Sequence, residues 1–149
     1  MSKTGRKPLL PMIAAAVAVP VTFAQASIFW MSGDDIQSLL GGKEITGVYA
    51  SGQSFTERYL DGGRLEYSDN ALTLGGHWSI KEGTLCTIYD SNTAGGCYRV
   101  TRSEENCFEF YFAARTEAAA PGLDGDKPKW TARGSVSGKP KGCHDGNSV

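Results

Sequence analysis

Residues 83–100, GTLCTIYDSNTAGGCYRV, place Cys86 and Cys97 in two segments that otherwise alternate as β-strands do. If the segments pair as a hairpin around a turn of two or four residues at Ser91-Asn92, the odd spacing of the cysteines sets them directly opposite each other. Opposed residues lie about 4.5 to 5.5 Å apart at Cα, and a disulfide accepts about 4.4 to 6.8 Å. The same register predicts an apolar pair of Leu85 with Tyr98 on the other face.

The other two cysteines leave a choice of connectivity. If Cys86 bonds Cys97, elimination pairs Cys107 with Cys143 and ties the polar tail, expected to be loose from about Gly138, to a strand. A Cys97–Cys107 bond is the alternative, with an odd-sized loop centred on Arg102. The polar run at 103–106 places the natural turn later than that, so this pairing ranks second.

Short segments with a period of two continue on both sides of the hairpin. The clearest is CFEFYFAAR, with Phe108, Phe110 and Phe112 on one face. Turn signals such as DGG at 61–63 separate these segments, and Gly75-Gly76 divides ALTL from HWSI. About eight strands of this kind predict an all-β antiparallel meander, barrel-like or a sandwich. In chain order the segments are ITGVYA, SFTERYL, RLEYS, ALTL, HWSI, TLCTIY, CYRVT, CFEFYFAAR and KWTARGSV.

A short helix is predicted before the strands, over 32–41. Ser32 is suited to cap it, acidic residues occupy its first turn, and Ile36, Leu39 and Leu40 form one apolar stripe. Gly41-Gly42 ends it.

The N-terminus has the layout of a secretory signal peptide. Three basic residues precede an apolar run over 9–24, and Ala24-Gln25-Ala26 is a small-x-small cleavage site. The run is shorter than the roughly 20 residues of a spanning helix. We therefore expect a signal peptide over 1–26, one exported domain over 27–149 beginning at Ser27, no stable membrane insertion, and a periplasmic or secreted location where disulfides persist.

Charge argues against nucleic acid as a partner. The signal segment carries three of the 15 Lys and Arg and none of the 16 Asp and Glu, which leaves the exported domain at −4. Nonspecific nucleic-acid affinity comes from neutralising phosphates, which an acidic chain does poorly.

Catalytic and metal motifs are not recognisable in the chain, so no catalytic residue, metal ligand or cofactor is predicted. His77 and His144 are the only histidines, and alternation turns His77 to solvent if Trp78 faces the core. The adjacent Cys143, His144 and Asp145 point apart in an extended chain, which disfavours a shared tetrahedral ion. Glu57 and Glu66 lie on neighbouring predicted strands, but charges on the outer face of a meander are expected, so they receive no role.

The aromatic side chains are the remaining candidates for a binding site. They are needed to fill a small barrel, and they also suit the wall of a cavity for one small apolar ligand. The candidate ligand-binding residues are Trp78, Tyr98 and Phe110.

The stretch GHWSIKEGTLCTIY…CYRV resembles small exported proteins of uncharacterised families from alphaproteobacteria, especially the rhizobial group. These share a G-x-W-x-x-x-x-G-x-x-C core followed by a second cysteine, and the resemblance covers about residues 45 to 115. It implies a secreted β-rich domain and brings no known activity. The meander also looks like the lipocalin and avidin class.

Two classes of function follow from these observations. The first is a non-enzymatic periplasmic or secreted binding module that takes a small apolar ligand or a protein partner. The second is an enzyme, hydrolase-like, with a site that the sequence does not reveal, or an inhibitor of a partner enzyme. An aromatic-lined cavity favours binding, whereas a cleft that holds a histidine within reach of a carboxylate favours catalysis.

Overall fold

The structure is a computed structural model that describes residue 1 and residues 30–91, 95–114 and 129–144. The predicted cleavage site and Ser27 lie outside the described residues, as does all of the predicted signal peptide except Met1. In the described part of the chain, no helix has both the length and the apolar character needed to cross a membrane.

A short helix and eight strands are the main elements of the described residues. The helix, α1, spans Gly33–Leu40, and a single 3₁₀ turn lies at Asp61–Gly63. The strands are β1 (Glu44–Tyr49), β2 (Ser54–Tyr59), β3 (Arg64–Ser68), β4 (Thr73–Lys81), β5 (Thr84–Tyr89), β6 (Gly95–Glu104), β7 (Cys107–Phe112) and β8 (Ala132–Val136).

The strands form a closed antiparallel barrel. Each pairs with the next along the chain, and β1 also pairs with β8, so the sheet has no free edge. Glycines face each other at this closing seam, where Gly47 of β1 lies opposite Gly134 of β8. A Cβ on Gly47 would lie 2.3 Å from the carbonyl oxygen of Arg133, so only glycine fits there. The predicted all-β meander is confirmed, and the barrel forms rather than the sandwich.

The predicted helix is confirmed, with a capping box at its start. Ser32 Oγ accepts a hydrogen bond from the Asp35 backbone N–H at 3.1 Å, and the Asp35 carboxylate accepts one from the Ser32 N–H at 3.2 Å. Two positions of the apolar stripe, Ile36 and Leu40, are completely buried.

Backbone hydrogen bonds hold α1 and its flanking residues across one end of the barrel. Met31 N donates to Val100 O of β6 at 2.8 Å, and Gly42 N donates to Tyr59 O at the end of β2 at 2.6 Å. The helix therefore closes the end where β2 and β4 finish, and the opposite end, where β1, β3, β5 and β7 finish, is called here the loop end.

The hairpin of β5 and β6 has the register that spacing predicts. Cys86 lies opposite Cys97, and the two form a disulfide with a Cα separation of 4.0 Å. Leu85 pairs with Tyr98, also as predicted.

The second disulfide joins Cys107 to Cys143, at a Cα separation of 4.7 Å. The alternative Cys97–Cys107 bond is wrong. The tail is also held by hydrogen bonds, because the Asn106 side chain donates to Val136 O at 3.1 Å and to Lys139 O at 3.3 Å, and Arg133 Nη2 donates to His144 O at 2.7 Å.

The predicted break at Gly75-Gly76 is wrong, since both glycines lie inside β4. Gly76 faces Tyr89 of β5, and a Cβ there would lie 2.3 Å from the carbonyl oxygen of Ile88. The glycine allows a close approach of two strands within the wall of the barrel.

Candidate functional site

A cavity lies inside the barrel, in the half nearer the loop end. Its lining comes largely from inward-facing residues close to the ends of the strands at the loop end, such as Tyr49 at the end of β1 and Ala132 at the start of β8. Six of the ten lining residues are aromatic, so the wall is predominantly flat ring surface. The lining residues are Tyr49, Phe55, Glu57, Tyr59, Leu85, Thr87, Tyr89, Tyr98, Phe110 and Ala132.

The cavity is small. The empty space among its lining atoms, including the part open to solvent, is about 370 Å³, and the centre of a water molecule can reach about 30 Å³ of it. A single water needs roughly 10 to 15 Å³ by the latter measure. The cavity thus suits a ligand of a few non-hydrogen atoms, and a bulky apolar ligand does not fit without rearrangement.

One carboxyl group faces this cavity. Glu57 is only 7% exposed and lies between Phe55 and Tyr59 on the inner face of β2. The alternation of SFTERYL does predict that these three residues share a face. The expectation that Glu57 is an ordinary outer-face charge is nevertheless wrong, since a strict period of two places it inside with its neighbours. Glu66 does lie outside, in an ion pair with Arg58 at 2.8 Å.

Two tyrosine hydroxyls meet the Glu57 carboxyl. Tyr59 Oη donates to Oε2 at 2.5 Å, and Tyr89 Oη donates to Oε1. Burial raises the pKa of Glu57 above its usual range, and the two hydroxyl hydrogen bonds partly oppose that rise. The carboxyl therefore keeps its proton to a higher pH than an exposed glutamate does.

Buried basic residues are missing from the described part of the barrel. The buried polar or charged residues found there are Glu57, Thr87, Thr101 and Asn106. The strand neighbours of Glu57 are Ile45 and Tyr67, which bring no positive charge. A buried carboxylate without a cation is costly, which is the physical reason that burial dominates its titration.

A second chain of polar groups runs from the cavity to the loop end. Tyr49 lies beside Tyr67, and the Tyr67 hydroxyl donates to Asp69 Oδ2 at 3.0 Å. Backbone N–H groups of Ala71 and Leu72 donate to Asp69 Oδ1 at 2.7 and 2.9 Å and hold the pKa of Asp69 below its usual range. The charged end of this chain is thus at the rim, and its tyrosines face inward.

The three aromatic residues predicted to bind a ligand occupy two different places. Tyr98 and Phe110 line the cavity. Trp78 packs edge-on against Tyr59, with ring centroids 5.6 Å apart, and its Nε1 donates to Leu60 O at 2.8 Å. Trp78 is thus placed among the core residues near α1, whereas the other two are placed to meet a ligand.

Both histidines lie outside the barrel. His77 is exposed, as alternation predicts, and its Nε2 lies 3.0 Å from Arg64 Nη1 and 3.7 Å from Asp90 Oδ1. His144 Nδ1 lies 2.8 Å from Glu104 Oε2, also on the surface. Neither pair belongs to the cavity, and within the described ranges no three His, Cys, Asp or Glu residues are grouped to hold a metal ion.

Comparison with known proteins adds no relative. Neither the protein-family models, nor the curated proteins, nor the solved structures gave a match to the chain. The site therefore has to be interpreted from its own geometry.

The titration of Glu57 predicts how stability depends on pH. Its folded-state pKa is raised, so its contribution to stability is full below the ordinary value of about 4.3 and is lost as the pH rises through the folded-state pKa. Glu57→Gln mimics the protonated acid. We expect urea unfolding to show equal stability at pH 4 and a growing advantage for the variant as pH rises, worth about 1.4 kcal/mol per unit of raised pKa.

Glu66→Gln is the matched control, because Glu66 is exposed on the neighbouring strand β3. Its effect should stay within about 1 kcal/mol at every pH. A Glu57→Gln variant that loses stability relative to the wild type as pH rises would show that the carboxyl is ionised and stabilising inside the barrel.

Proposed function

We propose that this protein is a non-enzymatic, exported β-barrel that binds a small molecule in the cavity at the loop end. The observation that carries the proposal is the lining itself, in which aromatic walls surround a single carboxyl group within a closed barrel. Few convergent polar groups in an otherwise apolar concavity are typical of small-ligand sites. We place the route of entry at the loop end, since the helix lies across the other end.

The position of the histidines favours binding over catalysis. The enzyme alternative calls for a histidine and a carboxylate together in a cleft. Here, His77 and His144 lie near Asp90 and Glu104 on the outer surface, and neither histidine lines the cavity. Binding by the cavity needs no such pair.

The export part of the proposal draws on the two disulfides and the predicted signal peptide. Disulfides persist in oxidising compartments, and both bonds in this chain are formed. We place the protein in the periplasm or outside the cell.

The test is a nuclear magnetic resonance titration with three probes of matched chain length, namely n-propylammonium, 1-propanol and propionate. Ligands of this size gain at most about 1.5 kcal/mol per non-hydrogen atom, which limits Kd to roughly a few micromolar or weaker. Titration into the millimolar range is therefore needed. We expect saturable shifts of the amide signals of Tyr49, Thr87 and Ala132 with at least one probe.

Filling the cavity should abolish these shifts. Ala132 is 6% exposed and faces inward beside Tyr49 and Phe110, so Ala132→Leu adds side-chain volume within the cavity. We expect affinity to fall at least tenfold, with the dispersed spectrum of a folded protein retained. Thr73→Leu adds comparable bulk at an exposed position and should leave binding unchanged. If none of the probes binds, or if the shifts map to the outer surface in both variants, the proposal fails.

A further inference from the structure

The Glu57 carboxyl has no basic partner among the described residues of the cavity lining. Given the proposed binding function, this bears on the chemical class of the ligand. Glu57 lines the cavity with no buried basic partner among the described residues, and its two oxygens accept hydrogen bonds only from neutral hydroxyls. An ionised carboxylate has about four acceptor sites, so two tyrosines leave room for further donors. A cation in the cavity would supply the partner that the protein does not.

The wall around that carboxyl suits a cation with a short apolar body. The faces of tyrosine and phenylalanine rings attract organic ammonium groups, and Tyr49, Tyr98 and Phe110 surround the space beside Glu57. A purely apolar ligand, as the sequence predicts, would leave the carboxyl buried against hydrocarbon. An anion would place like charges together wherever the carboxyl is ionised.

We propose that the ligand is a small alkylammonium ion, with its charged head against the Glu57 carboxyl and its short tail along the aromatic wall toward the loop end. The limited room in the cavity restricts the buried part to a few non-hydrogen atoms. The tail lies where Tyr49 and Ala132 form the outer part of the lining.

Binding exchanges a proton for the cation. Below its folded-state pKa, which burial raises, the carboxyl of the empty cavity is protonated, and on binding it gives its proton to solvent and pairs as a carboxylate with the ammonium group. Atoms and charge balance, since one cation enters and one proton leaves. The groups that face Glu57 are Tyr49 from β1, Tyr59 from β2, Tyr67 from β3, Tyr89 from β5 and Tyr98 from β6. Burial raises the pKa of Tyr49, Tyr59, Tyr67 and Tyr89, so these four stay neutral over this range.

Isothermal titration calorimetry with n-propylammonium, in buffers of different ionisation heat, tests this exchange. We expect n-propylammonium to bind at least tenfold more tightly than 1-propanol, with propionate weakest. Below the folded-state pKa of Glu57, binding should release up to one proton and tighten about tenfold per pH unit. Above that pKa the proton release should fall to zero and the affinity should become independent of pH.

Glu57→Gln should weaken n-propylammonium at least tenfold and abolish proton release, and its effect on 1-propanol, which carries no charge, should be several-fold smaller. Glu66→Gln, on the outer face, should alter none of these. Tyr89→Phe gives an independent check if the Gln variant does not fold. It removes a hydroxyl that lowers the pKa of Glu57, so the pH at which binding levels off should rise.

The outcomes separate this inference from the proposed function. If 1-propanol or propionate binds in the cavity as tightly as the ammonium ion, or if Glu57→Gln binds the ion unchanged, the ligand class is wrong and the binding site stands. If no probe binds at all, both proposals fall together.

Discussion

Trp78→Ala is expected to lower the free energy of unfolding by about 3 to 5 kcal/mol. The indole is 7% exposed, packs edge-on against Tyr59, and donates a hydrogen bond to the Leu60 carbonyl. Its removal deletes a large apolar surface from a small core and leaves that carbonyl without its donor. Because a domain of this size is stable by only about 5 to 15 kcal/mol, the variant should melt far below the wild type.

Two control variants are useful. One separates the loss of packing from the loss of the hydrogen bond, and the other tests the effect of changing an adjacent exposed residue. Trp78→Phe keeps an aromatic ring but removes the donor to Leu60, so an intermediate loss is expected. His77→Gln changes the adjacent, exposed side chain and should cost less than about 0.5 kcal/mol. Chemical denaturation measures all three. A loss of less than about 1 kcal/mol in the free energy of unfolding for Trp78→Ala would show that the indole does not stabilise the end of the barrel near α1.

Removing the Cys107–Cys143 disulfide is expected to cost about 4 kcal/mol. The bond closes a loop over a sequence separation of 36, and cross-linking a longer loop removes more entropy from the unfolded chain. Alanine should replace both cysteines, since Cys107 is 1% exposed and a serine hydroxyl would be buried there.

The Cys86–Cys97 bond is the matched comparison, with a separation of 11 and an expected loss of somewhat under 3 kcal/mol. It lies inside a hairpin that the strand ladder already aligns. Urea unfolding of the two double-alanine variants, without reducing agent, gives the difference directly. A larger loss on removing Cys86–Cys97, which closes the shorter loop, would mean that strain or unfolded-state structure outweighs loop length.

Much of the local structure could be predicted from the sequence because it depends on short-range rules. The capping box at Ser32 and the opposed pair of Cys86 and Cys97 follow from spacing alone. Closure of the barrel is different, since β1 and β8 lie almost a whole domain apart in the chain. No local pattern at Gly47 predicts that Gly134 will face it. The sequence alone therefore does not distinguish a barrel from a sandwich.

The cavity cannot be predicted from the sequence for a related reason. Its wall combines side chains from six strands, and the space left among them depends on packing that no one segment contains. Glu57 is an exception, because the alternation of Phe55, Glu57 and Tyr59 places it inside. The general rule that charged residues lie on the outer face predicts the opposite for Glu57, and here that rule is wrong. A glutamate between two aromatic residues on the same face of a strand therefore indicates a carboxyl that faces the interior.

The central claim is that the interior beside Glu57 is where the ligand lies. Its most direct test is a measurement of intermolecular nuclear Overhauser effects between bound n-propylammonium and the protein. We expect the protons of the ligand to contact the rings of Tyr59, Tyr89 and Phe110, with the ammonium end nearest Glu57. Contacts confined to exposed side chains such as Ile88 or Leu72 would contradict the claim.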